Sequence, residues 1–134
     1  VETGDRTPYD VIRDIVTVYW TTYRDHAPVL SGVFQAAQID PTFVEYWRDL
    51  RAPARTMIAN NIRRLQKHEY SPGMDPDITA SAIGAMMDYF CYVWLVEGGE
   101  TGRSSVTDEE AIDTLARIWF NALWWKSEGA HGTT

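Results

Sequence analysis

Apolar positions along this chain recur every three or four residues, which is the period of an α-helix, and no segment alternates at period two for long. The first apolar stripe consists of Ile12, Ile15, Val16, Tyr19, Trp20 and Tyr23. Thr7 and Pro8 precede it and mark a helix start, because Thr caps the first turn and Pro is favoured at the first helical position. The pattern predicts a helix over residues 8–25.

Four further segments show the same period and predict helices over about 28–38, 41–69, 76–97 and 107–126. An Asp-Pro pair opens the second and third of these, and Thr107 with Glu110 forms a capping box at the start of the last. Pro53 should kink or locally open the helix over 41–69, because proline lacks a backbone donor. The sequence therefore predicts an all-α domain of about five helices.

The last two predicted helices carry more apolar surface than one small domain can cover. The helix over 76–97 is apolar almost all round, and Phe120 and Trp124 lie off the main stripe of the helix over 107–126. Pairing two copies about a two-fold axis would bury this surplus in a four-helix interface. The alternative is a monomer with the helix over 76–97 at its centre. We expect the homodimer.

Composition favours a packed interior with aromatic walls. The 134 residues include six Trp and seven Tyr, which combine a large apolar surface with one polar group. The one cysteine, Cys91, cannot form an internal disulfide and reads as a small buried apolar residue. We therefore expect a reducing compartment, the cytoplasm. No apolar run reaches about 18 residues, so no membrane-spanning helix is expected.

The charge distribution argues against a nucleic-acid surface in this chain. The formal net charge is −7. Residues 1–67 hold nine basic and eight acidic side chains, whereas residues 68–134 hold three and eleven. Phosphate would be repelled by the second half, and DNA binding needs a positive footprint.

The sequence shows no pattern typical of a catalytic or metal centre. His26, His68 and His131 have no metal-ligating partner three or four residues away on a helix. The carboxylates after residue 107 are explained by helix capping and the helix dipole. We expect no enzyme activity, no metal and no cofactor.

Two charged features remain open to more than one interpretation. Arg48, Arg51 and Arg55 recur at helical spacing, as an anion-binding stripe would, and we favour a solvated face paired with nearby carboxylates. Asp88 lies inside the most apolar helix, where an unpaired carboxylate is costly. It is either a structural partner of an Arg or a Tyr hydroxyl, or a polar anchor in the wall of a ligand pocket.

Short segments in a fixed order point to a family. Beside the fourth- and fifth-helix segments ASAIGAMMD (80–88) and AIDTLARIW (111–119), the earlier segments are YWTTY (19–23), HAPV (26–29), FQAA (34–37) and FVEYW (43–47). In this order they resemble the C-terminal domain of TetR-family transcriptional regulators, nearest to the branch of actinobacterial ethionamide-resistance regulators. The resemblance covers residues 8–126.

The resemblance implies an effector-sensing and dimerisation domain, here residues 1–134, within a repressor. Such regulators are homodimers that pair through their last two helices, here about 76–97 and 107–126. They hold a small hydrophobic effector inside, and they bind DNA through a separate N-terminal helix-turn-helix domain. The chain begins at Val1 with no initiator Met, and we expect that domain to precede it. No membrane is implied.

With this resemblance, the candidate ligand-binding residues are Tyr19, Tyr23, Phe34, Trp47, Met57, Ile58, Gly84, Met87, Asp88, Tyr92 and Trp119. The relatives carry more aromatic residues near positions 51–57 and an amide side chain where this chain has Gly84. Two alternatives use the same helices: a small helical enzyme or lipid carrier with this cavity, and a dimeric adaptor without a ligand.

Overall fold

A computed structural model describes residues 6–127, and these fold as five α-helices with no strand among them. The helices are α1 (Pro8–Asp25), α2 (Ala27–Ala37), α3 (Pro41–Lys67), α4 (Pro76–Leu95) and α5 (Asp108–Leu123). The predicted all-α fold of five helices is confirmed. The tail from residue 128 onward, including His131, lies outside the described residues.

Each predicted start signal caps a helix. The Thr7 hydroxyl accepts a bond from the Asp10 amide at 3.1 Å, and the Asp10 carboxylate accepts one from the Thr7 amide. Thr107 and Glu110 form the same capping box at the start of α5. Because these side chains satisfy amides that have no partner inside the helix, they fix where the helix begins.

The local opening that Pro53 could cause is not found in α3. Helical backbone continues without a break from 41 to 67. Pro53 and Asp49, whose carbonyl loses its helical partner, are both exposed. Water can hydrate that carbonyl, so the missing bond does not have to open the helix.

Helix α1 joins α5 to the rest of the domain. It packs along α5 on one side and against α4 on another, while α3 packs against α4 and α2 bridges α1, α3 and α4. The core consists of the inner faces of α1, α3, α4 and α5, with Trp20 and Trp119 as its largest fully buried side chains. Cys91 is free and fully buried, as expected.

The interface between α1 and α5 is antiparallel and partly polar. Near the end of α1, the Trp20 indole donates to Asp108 at 2.8 Å. Near its start, Arg13 pairs with Glu109 at 2.9 Å and with Asp113 at 3.3 Å. The carboxylates at the start of α5 therefore bind this helix to α1 as well as capping it.

Helix α4 is the one described helix that is long and apolar enough to cross a membrane by length and composition. We expected no such helix because the sequence has no uninterrupted apolar run of sufficient length. In α4 the apolar run is interrupted by Asp88. One stripe of α4, which includes Ile83, Met87 and Cys91, is buried in the domain. A core helix of a folded domain satisfies the same criteria, so this is weak support for a span.

Part of the apolar surplus on α5 is covered within the chain. Phe120 meets Tyr9 edge to face, with centroids 5.6 Å apart, and Trp124 stacks on Tyr70 at 3.8 Å. The side chains that remain exposed include Ile118 and Ala122 on α5 and Trp125, which follows the end of this helix. The apolar face left for a partner is therefore narrower than the sequence suggests.

Candidate ligand-binding site

A cavity of about 290 Å³, here the main cavity, opens between α1, α2, α3 and α4. Its size is near the lower end of the roughly 300–1,000 Å³ typical of small-molecule sites. Its wall is apolar and aromatic apart from Thr22, Arg51 and Asp88. The lining residues are Ile15, Val18, Tyr19, Thr22, Tyr23, Leu30, Trp47, Leu50, Arg51, Pro53, Ala54, Met57, Ile58 and Asp88.

Helical spacing explains how two walls of the main cavity arise. On α1, Ile15 and Tyr19 are one turn apart and face the cavity, and on α3, Leu50, Ala54 and Met57 do the same. Ala54 is the small residue in this row, so it leaves space where a larger side chain would fill the gap.

The mouth of the main cavity is rimmed by exposed apolar side chains. Val18 is 62% exposed, Met57 45% and Leu50 39%. These three residues come from facing helices and all line the cavity. A contiguous apolar rim of this kind marks a site where an apolar molecule can enter or bind.

A second cavity of about 240 Å³, the aromatic cavity, adjoins the first. The Phe34 ring lies 4.9 Å from that of Tyr92 and 5.6 Å from that of Trp47, centroid to centroid. The Gln35 amide donates to the Tyr92 hydroxyl at 2.8 Å and fixes that ring. The two cavities share four lining residues, namely Tyr23, Trp47, Arg51 and Asp88.

An ion pair lies where the two cavities meet. Arg51 Nε donates to Asp88 Oδ2 at 2.7 Å, and the side chains are only 26% and 14% exposed. Burial raises the pKa of Asp88 to about 7. The Arg51 guanidinium opposes this effect, because a positive charge at hydrogen-bond distance favours the carboxylate. Burial, and then repulsion from Arg55, lower the pKa of Arg51.

Burial keeps two further side chains, Tyr23 and Cys91, in their neutral forms. Burial raises the pKa of Tyr23 to about 12, so its hydroxyl stays protonated and can donate or accept a hydrogen bond. Burial also raises the pKa of the Cys91 thiol. A thiol in this state is a poor nucleophile, which argues against Cys91 chemistry.

Most of the predicted ligand-binding residues meet in these cavities. Those that line at least one of them are Tyr19, Tyr23, Phe34, Trp47, Met57, Ile58, Asp88 and Tyr92. Gly84, Met87 and Trp119 are buried but line neither cavity. Met87 and Trp119 are packed in the core, and their role in binding stays a prediction.

Several lining residues were not among the predicted ones. Leu50, Ala54 and Val18 carry no polar signal, and helical periodicity cannot show that a void lies opposite them. Arg51 was singled out in the sequence, but as part of a solvated face. The interpretation of Asp88 as a structural partner of an arginine is confirmed, and the same residue also lies in a cavity wall.

Within residues 6–127, no three His, Cys, Asp or Glu side chains cluster closely enough to hold a metal ion. Comparisons with protein-family models, with curated proteins and with solved structures find no match to this chain. The cavities and their walls are therefore the basis for assigning a function.

Proposed function

We propose that this domain senses a small, mostly apolar effector and forms the dimerisation domain of a cytoplasmic TetR-type transcriptional regulator. The observation that carries this proposal is the main cavity, whose wall is apolar apart from Thr22 and the Arg51–Asp88 pair. Small-molecule sites combine such walls with a few polar groups that orient the ligand. The order of segments that resembles the TetR family supports the regulatory role.

In this proposal, the effector controls DNA binding by a helix-turn-helix domain that lies N-terminal to the chain. Helix α1 walls the main cavity with Ile15, Tyr19 and Tyr23 and leads toward that domain. An effector that favours one position of α1 can shift the regulator between two states. Coupling free energies of about 1–3 kcal/mol are typical of such switches.

The proposed dimer pairs α4 and α5 of two copies. The exposed apolar side chains Ile118 on α5, Trp125 just after it and Ala82 on α4 would lie in the interface. We propose no enzyme activity for this domain.

A cavity-filling substitution tests the binding proposal. Ala54→Trp places an indole in the main cavity, so binding of the neutral apolar fluorophore N-phenyl-1-naphthylamine should fall at least about tenfold, a loss of about 1.4 kcal/mol. Thr56→Trp is the matched control, because Thr56 is exposed on α3 and lines neither cavity. Fluorescence titration measures both affinities, and thermal melting confirms that each variant is folded.

Equal binding by the wild type and Ala54→Trp would place the fluorophore elsewhere and contradict this use of the cavity. No binding by the folded wild type would contradict the binding of a neutral apolar molecule in the main cavity.

A further inference from the structure

A third concavity, the arginine groove, lies between α3 and the first half of α4. Its volume is about 440 Å³, and its lining residues are Arg48, Arg51, Arg55, Asp77, Ile78 and Ser81. The three arginines occur at positions i, i+3 and i+7 of α3, so they form one row along the helix.

Part of the positive charge of this groove has no ion-pair partner among the described residues. Within residues 6–127, neither Arg48 nor Arg55 has an ion-pair or hydrogen-bond partner, unlike Arg51, which bonds Asp88. The carboxylate of Asp77 is already bonded to Arg63 at 2.9 Å. The expectation that this face pairs with nearby carboxylates therefore fails for two of its three arginines.

Like charges one turn apart on a helix repel each other. Arg51 and Arg55 line the same groove, and burial, followed by repulsion from Arg55, lowers the pKa of Arg51. An anion between them would relieve this repulsion and gain charge-assisted hydrogen bonds.

Arg51 connects the groove to the main cavity, because it lines both. Its Nε is bonded to Asp88, whereas its two terminal nitrogens make no hydrogen bond within the described residues. One of these, Nη2, lies 3.9 Å from the position that a side-chain Cβ at Gly84 would occupy. A side chain at Gly84 would therefore be in van der Waals contact with this end of the guanidinium.

From this placement we propose that the effector is an amphipathic anion. Its apolar chain lies in the main cavity, and its carboxylate or phosphate binds the terminal nitrogens of Arg51 together with Arg48 and Arg55. This inference rests on the proposed sensing function, which it narrows to one class of ligand.

Three probes with the same ten-carbon chain separate head group from chain: decanoate, decyl phosphate and the neutral decanol. Calorimetric titration of the full chain should show that at least one anion binds about tenfold or more tightly than decanol. Its affinity should fall as sodium chloride rises, because exposed charges are screened. The tighter of the two anions identifies a carboxylate or a phosphate head group.

The double variant Arg48→Gln/Arg55→Gln tests the groove directly and leaves the Arg51–Asp88 pair intact. The ratio of anion to decanol affinity should fall about tenfold or more in this variant. Arg64→Gln is the matched control, since Arg64 is an exposed arginine of α3 outside the groove, and it should keep the wild-type ratio.

The outcomes distinguish this inference from the function on which it rests. Decanol binding as tightly as both anions, or an unchanged ratio in the double variant, overturns the anionic effector and leaves an apolar sensing site. Failure of all three probes and of the neutral fluorophore overturns both.

Discussion

The Arg51–Asp88 pair has two roles that the sequence presented as alternatives. It is a structural ion pair, and it also supplies polar groups in the wall of both cavities. The two residues lie 37 positions apart on different helices, so their pairing depends on how α3 packs against α4. Sequence reasoning could identify Asp88 as costly to bury, but it could not choose the partner.

The pKa of Asp88 predicts a pH-dependent stability. In the folded chain it is raised from 3.8 to about 7, so between these pH values the folded protein holds a proton that the unfolded chain releases. The free energy of unfolding should therefore fall as pH rises through this window, by up to about 1.4 kcal/mol per pH unit. Asp88→Asn should remove this contribution.

Urea denaturation at several pH values between about 4 and 8 measures the effect as the stability of the wild type minus that of Asp88→Asn. This difference should decrease with rising pH. Asp49→Asn, at an exposed carboxylate of α3, should keep the wild-type slope. Parallel curves of unfolding free energy against pH for the wild type and Asp88→Asn would show that burial does not raise the pKa of the Asp88 carboxyl.

Among the elements, helix starts were easier to predict than helix ends. Thr7 and Thr107 each cap a helix at the predicted residue, because a single side chain supplies the bond that defines the start. Helices α4 and α5 end two to three residues earlier than predicted, at Leu95 and Leu123. The end of α4 has a local cause, because Gly98 and Gly99 adopt positive φ and the Gly99 amide bonds the Val93 carbonyl. After α5 the contact is tertiary, since the Ser71 amide bonds the Trp125 carbonyl.

The capping box of α5 should contribute measurably to stability. Thr107→Ala removes the acceptor for the Glu110 amide, a bond of 3.0 Å, and should cost about 0.5–2 kcal/mol. Thr101→Ala, in the exposed turn before α5, is the control and should leave stability nearly unchanged. Thermal and urea unfolding measure both variants, and an equal effect of the two would contradict the cap.

The residues of the candidate site were partly predictable, because helical periodicity shows which side chains face inward but not what lies opposite them. Periodicity correctly placed Tyr19 and Trp119 on inner faces of their helices, whereas Met57, which it also placed there, is exposed at the rim of the main cavity. It could not show that Tyr19 and Met57 face a void whereas Trp119 packs in the core, because that difference depends on how well neighbouring helices fill the space.

For the whole molecule, the feature that matters is the exposed apolar surface formed by the outer face of α5 and by Trp125 just after it. Ile118 is 48% exposed and Trp125 40%, while Phe120 and Trp124 are already packed on α1 and the loop before α4. This remaining apolar surface is the one that a second copy would cover in the proposed dimer.

A charge on that surface tests the proposed dimer. Ile118→Glu would bury a carboxylate in the interface, so sedimentation velocity at micromolar concentration should show a dimeric wild type and a monomeric variant. Ile39→Glu is the matched control, because Ile39 is 85% exposed and lies between α2 and α3. A monomeric wild type of 15.3 kDa would contradict the dimer.

Helix α1 touches the main cavity and α5 with different faces. Ile15 and Tyr19 form part of the cavity wall, while Arg13 and Trp20 hold the start of α5. Any rotation or sliding of α1 must therefore change the shape of the main cavity and move α5 at the same time. A molecule that displaces α1 from inside the main cavity would transmit that movement in two directions. One leads to the chain before Pro8, and the other leads to α5, whose outer face is exposed.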